Sequence, residues 1–168
     1  MKAGENKYQW DDAERLAWRI HDLGWHVDLK IDGSDLHEVE QRLASWPGYI
    51  ILHHIGLFLR TKTLKQRGFK ALTRLIDRDK IWVKLSAPYN SSRKGLINDP
   101  EVADIARALI GWAPERMVWG TNWPHPEHSD TKPNDFDLYQ LYCDWIPERS
   151  RRKMILNENP ATLNGFSV

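Results

Sequence analysis

Four short clusters in the sequence carry side chains able to move protons or hold anions. Lys30 lies near the end of WHVDLKI, His53 and His54 sit side by side in LHHIG, Lys84, Ser86 and Tyr89 occur in VKLSAPY, and Asn122, Trp123 and His125 occur in GTNWPHP. Histidine changes charge near neutral pH, so either member of the pair suits a general base or a metal ligand. A buried imidazole satisfied by a backbone carbonyl fits the same residues. Neighbours on a strand point to opposite sides, so the pattern predicts that only one of the two faces inward. By the same period of two, Lys84 and Ser86 share a face. The hydroxyls of Ser86 and Tyr89, with Ser91 and Ser92, suit a carboxylate, or simply end a strand in a polar turn. Pro124 and Pro126 flank His125 and stiffen its loop. Asn122 can orient a substrate or a water, but an amide takes no proton near neutral pH and cannot serve as a base. A proline-held turn with a packed Trp123 is the alternative there.

These clusters share a position, each closing a β-rich run. The runs are Trp25–Ile31, Tyr49–Ile55, Ile81–Ser86 and Met117–Asn122, and three of them are nearly continuous apolar stretches, as parallel strands covered on both faces require. Helical patterns lie between them, over Asp11–Leu23, Asp35–Trp46, Leu64–Arg78, the segment capped by Asp99 with Pro100 at its first position, Phe136–Trp145, Pro147–Leu156 and a last one begun by Asn159-Pro160. Strand starts at 25, 49, 81 and 117 have the pitch of βα units. In such folds chemistry sits at the carboxyl ends of the strands. Arg149, Arg151, Arg152 and Lys153 read as a solvated face, Asp11-Asp12 as a helix cap, and Cys143 as a core residue.

The 168 residues suit one domain, with the first nine polar and loose. They are too few for a complete eight-unit β/α barrel, which takes ~200–250. Lysine and arginine number 24 against 23 acidic residues, which argues against nucleic acid as a partner. One cysteine excludes a disulfide framework and a cysteine-rich zinc site. The lack of an apolar run long enough for a membrane span or a leader sets the expectation of a cytoplasmic protein. Nine tryptophans promise a substantial core.

Together GWHVDLKI, LHHIG, VKLSAPY, RMVWGTNWPHP and ILNENPATLNGF resemble the amidohydrolase-related family, in the branch of 2-pyrone-4,6-dicarboxylate lactonase and other muconolactone-type hydrolases. The resemblance runs from about Trp10 to Phe166 in the family's order. It implies a (β/α)₈ TIM barrel that hydrolyses C–O or C–N bonds, or decarboxylates in some branches. The reaction centre of that family combines a first-strand His-x-His pair, a central His and an eighth-strand Asp. Some branches bind a divalent metal there, and the pyrone lactonase type works without one.

Mapped onto this chain, the resemblance covers strands five to eight, half of the barrel. His54 matches the central His, and His53 stands where the family usually has Asp. Asn122 falls on the catalytic Asp, a loss of the base. Tyr89 matches the Ala-Pro-Tyr segment that contacts substrate carboxylates, and Asn90 follows it where Arg is common. There is no His-x-His pair in the sequence. The expectation is a lactone hydrolase acting on a small carboxylate, incomplete on its own. His54 and Asn122 would be catalytic and Lys30, Ser86, Tyr89, Trp123 and His125 would bind substrate. No cofactor and no tight metal are expected, since a hydrolytic zinc site usually takes three protein ligands. Half a barrel also leaves two sheet edges, at Trp25–Ile31 and Met117–Asn122, and an apolar concave face. A homo-oligomer or a separately encoded amino-terminal half would cover them. The alternative is a non-catalytic half-barrel, such as a gene fragment, or a subunit that binds a small acid.

Overall fold

The computed structural model describes residues 10–59, 63–95, 97–127 and 132–166. The segment expected to be loose, residues 1–9, lies outside them. Four strands, β1 (Val27–Leu29), β2 (Ile50–Leu52), β3 (Ile81–Leu85) and β4 (Met117–Trp119), form one sheet in chain order. All three pairings are parallel, with Asp28 opposite Ile51, Ile51 opposite Trp82, and Lys84 opposite Val118. Each strand is shorter than its apolar run, because the flanking residues leave the ladder to turn into the loops.

Helices α1 (Trp10–His21), α2 (Leu36–Ser45), α3 (Arg67–Asp77), α4 (Pro88–Ser91) and α5 (Pro100–Trp112) alternate with the strands. The chain signals act as expected at several ends. Gly24 follows α1 with a φ of +73°. Asp99 caps α5 by accepting from the Glu101 amide at 3.0 Å, with Pro100 in the first turn. Helix α3 starts at Arg67, three residues later than its apolar pattern suggests. Asp11 and Asp12 lie within the first turn of α1 and pair with Arg42 and Arg15.

One face of the sheet lies under these helices. Leu29, Ile50, Leu52, Ile81, Val83, Leu85 and Met117 join Leu36, Leu43, Leu72, Leu75, Ile105 and Leu109 in a single core. Each such buried side chain contributes on the order of 1.5–3 kcal/mol from burial. Glycines let the layers close tightly. A Cβ on Gly68 would stand 2.0 Å from the Gly33 carbonyl oxygen, and one on Gly33 would stand 2.3 Å from that of Gly56.

The opposite, concave face differs from the open apolar surface expected of it. Ile51, Trp82 and Val118 form a small core of their own, buried, with Leu163 packed against them. The Arg116 guanidinium lies 5.0 Å from the Trp82 ring centre. Large apolar side chains are exposed at the β1 edge and α1, at Leu16, Trp18, Leu23 and Trp25, and also after β4, at Trp123, Phe136 and Tyr139. Toward the carboxyl ends of the strands the concave face turns polar.

The tail folds as α6 (Asp135–Trp145), α7 (Arg149–Lys153), a π-helical segment at Met154–Glu158 and α8 (Asn159–Asn164). The basic run is more than a solvated face. Arg152 donates to the Ile146 and Pro147 carbonyls at 2.6 and 2.8 Å, satisfying the end of α6. Asn159 donates to the carbonyls of Pro114 and Met117, docking the tail onto the start of β4. Cys143 is half-buried against the core.

Candidate active site

The residues picked out at the four strand ends come together. His54 is the centre. It follows β2 in a tight turn where His54, Ile55 and Leu57 all have positive φ, and the Ser91 hydroxyl donates to its carbonyl at 2.6 Å. The expected alternation of His53 and His54 fails for this reason. The strand ends at Leu52, and the left-handed turn at His54 swings its ring beside that of His53, 5.2 Å away and edge-on. Ser86 Oγ lies 3.1 Å from His54 Nδ1. Burial, with His53 and the Lys30 ammonium close by, pushes the His54 pKa down to about 4, so its imidazole is neutral at pH 7.

A second group lines the concave wall. Asp28 Oδ2 lies 2.8 Å from His53 Nε2 and 3.2 Å from Lys84 Nζ. Burial tends to raise the Asp28 pKa, but the hydrogen bonds from His53 and Lys84 outweigh it and hold the carboxyl at about 2. An ionised carboxylate only accepts, so His53 Nε2–H donates to Asp28.

The third group runs along the β4 loop, where Asn122 and His125 both have positive φ and the His125 amide donates to the Asn122 carbonyl at 2.8 Å. His125 Nε2 donates to Asp135 at 3.0 Å, its Nδ1 accepts from the Tyr89 hydroxyl at 2.7 Å, and Asn122 Nδ2 donates to the Tyr89 oxygen at 3.0 Å. The same Nδ2 reaches Glu127 at 3.3 Å, and Glu127 accepts from Lys30 at 2.7 Å. The Lys30 hydrogen bond holds the Glu127 carboxyl at about 2. Tyr89 is buried, and burial raises its pKa. Trp123 is 76% exposed at the rim.

Lys30, His54, Ser86, Tyr89, Asn122 and His125 thus gather at one end of the sheet. Ser91 and Ser92 do not join them as carboxylate donors. Ser91 holds the His54 turn, and Ser92 donates to Asp99 at 2.7 Å. Sequence reasoning passed over Asp28 and Glu127. Asp28 sits inside an apolar-looking run and Glu127 in a proline-rich loop, and the partners of both lie far along the chain. The position of Asp28, two residues before Lys30 on one strand face, was the available signal.

Among the described residues no group of three or more His, Cys, Asp and Glu side chains converges as a metal ion requires. No helix is long and apolar enough to cross a membrane, the described residues considered.

A parallel βα sheet with its ionisable side chains at the strands' carboxyl ends is the layout of α/β barrel enzymes. Residues 2–166 match the sequence profile of the amidohydrolase family, and the chain belongs to that family. It is 36% identical over 157 residues to a 4-sulfomuconolactone hydrolase of Hydrogenophaga intermedia, covering 90% of this chain and 50% of that protein. It is also 36% identical over 154 residues to a D-galactarolactone isomerase of Agrobacterium fabrum, covering 90% and 52%. A crystal structure of an Agrobacterium tumefaciens protein in its apo state superposes with a TM-score of 0.84 at 34% identity, over 95% of this chain and 57% of that one. The chain spans about half the length of the curated relatives it matches.

Proposed function

We propose that this chain supplies the carboxyl-terminal half, strands five to eight, of a barrel that opens the ring of a carboxylate-bearing lactone. The observation that carries the reading is a neutral, buried His54 at the strand ends, beside the cations of Lys30 and Lys84. In this reading the Ser86 hydroxyl donates to Nδ1, and the proton of His54 sits on Nε2, where it can donate to the lactone carbonyl oxygen. The two lysines suit the substrate's carboxylate, with Trp123 at the rim and the Tyr89–His125 pair fixing Asn122 from below. The relatives with lactone-directed names support the class of substrate. An amino-terminal half or a second copy of the chain would complete the barrel.

Asn122 favours a second reading within the same chemistry. A hydrolase must activate water, and an amide at 122 does not. A lactone isomerase needs no water, because a hydroxyl of the substrate itself attacks the carbonyl. Both readings are tested by supplying the chain with an amino-terminal half and incubating hydroxy-acid lactones in ¹⁸O-labelled water. Hydrolysis yields labelled open acid, and isomerisation yields an unlabelled ring of different size. Asn122→Asp is expected to raise the labelled share of the product, because a carboxylate at 122 can accept a proton from water where the amide cannot. Equal rates in both versions would remove position 122 from the base's place. No turnover of any lactone would overturn the proposal.

A further inference from the structure

We propose that His53 and Asp28 form the proton-transferring dyad of this site, with His53 Nδ1 as the base and Asp28 as the positioning residue behind it. The inference rests on the acyl-transfer reading above and supplies what Asn122 lacks. Asp28, in the middle of β1, reaches across to the residue that closes β2 and bonds His53 Nε2 at 2.8 Å. That bond fixes the ring and its tautomer, as a carboxylate behind a catalytic imidazole does, and leaves Nδ1 free to take a proton. Lys84 bonds the same Asp28 oxygen at 3.2 Å, so the carboxylate stays ionised and in place. The His53 side chain is 23% exposed on the concave face and lies edge-on to His54, the group assigned to the carbonyl.

The other groups of the site are committed elsewhere. His54 is buried and bonded to Ser86, Glu127 is tied to Lys30 and Asn122, and the Tyr89 hydroxyl is held between His125 and Asn122. His26 also approaches Asp28, at 3.7 Å, outside hydrogen-bonding distance.

The step balances. As the attacking hydroxyl oxygen bonds to the carbonyl carbon, its proton moves to His53 Nδ1 and the carbonyl π pair moves to the oxygen facing His54. When that pair returns, the bond from acyl carbon to ring oxygen breaks, and His53 gives the proton to the departing ring oxygen. Nothing is oxidised or reduced, and the scheme serves water or a substrate hydroxyl equally.

Cleavage of p-nitrophenyl acetate by the chain itself tests the dyad without requiring a complete barrel. His53→Gln and Asp28→Asn are each expected to lower the rate at least tenfold, and the double variant no further, as residues acting as one unit do. His37→Gln, outside the site, holds the parent rate. Added imidazole is expected to restore cleavage to His53→Ala but not to His53→Ala/Asp28→Asn, a rescue that a merely structural pair would not give. Thermal melts identify any variant that fails to fold, and the remaining one then decides. Parent-level cleavage by His53→Gln or by Asp28→Asn, or rescue indifferent to Asp28, overturns the dyad. Dyad-dependent ester cleavage by a completed barrel that leaves every lactone intact would overturn the lactone reading and keep the dyad.

Discussion

Acid acts on this fold through His54. The ring is neutral in the folded protein, with its pKa lowered from 6.5 to about 4, because it is buried beside His53 and Lys30. In the unfolded chain it takes up a proton at the ordinary value. Below pH 6.5 the unfolded state therefore binds a proton that the folded state refuses, and stability falls with pH until the folded ring also titrates near 4. The linkage integral gives a loss of about 2 kcal/mol at pH 5 and about 3 kcal/mol at pH 4, relative to pH 7. Asp28 and Glu127 also make the protein acid-sensitive, but both have pKa values depressed to about 2, so their stabilisation disappears in a lower window. Urea unfolding of the parent and of His54→Gln at pH 7, 5 and 4 separates the contributions, since the carboxylates are common to both. The variant is expected to be the less stable at pH 7, and the gap should close by about 3 kcal/mol at pH 4. A gap constant across the series would mean that His54 is solvated or charged in the folded state, which refutes the neutral carbonyl donor.

Gly68→Ala is expected to cost ~1–3 kcal/mol, as overpacking does, because its Cβ would stand 2.0 Å from the Gly33 carbonyl oxygen. An unchanged melting temperature would show that α3 can move away freely. Sedimentation of the purified chain at micromolar concentration is expected to report an associated species, since Leu16, Trp18, Leu23 and Trp25 lie exposed along the β1 edge. Aspartate at Trp18 and Trp25 should return it to a monomer, and a parent chain that is already monomeric rules this edge out as a contact.

The helix and strand order was legible because the signals are local. Gly24, Asp99-Pro100 and the four apolar runs each act within a turn or a strand of themselves. The site was legible in outline, since the carboxyl ends of parallel strands are known from the strand order alone. What stayed hidden depended on backbone conformation and distant pairing. Alternation failed at His53-His54 because a histidine adopted a left-handed φ, which sequence disfavours but a hydrogen bond from Ser91 secures. Asp28 looked like an interruption of a strand until β2 and β3 brought His53 and Lys84 to it. The concave floor closed because Leu163 and Arg116 cover Trp82, and neither is near it in the chain.

The Lys30–Glu127 pair has a topological consequence. Lys30 follows β1 and Glu127 follows β4, the two outermost strands of a sheet whose order is β1-β2-β3-β4. The 2.7 Å bond joins the loops that leave the first and last strands of the sheet, closing 97 positions of sequence with one contact, and Asn122 extends it to the Tyr89 hydroxyl.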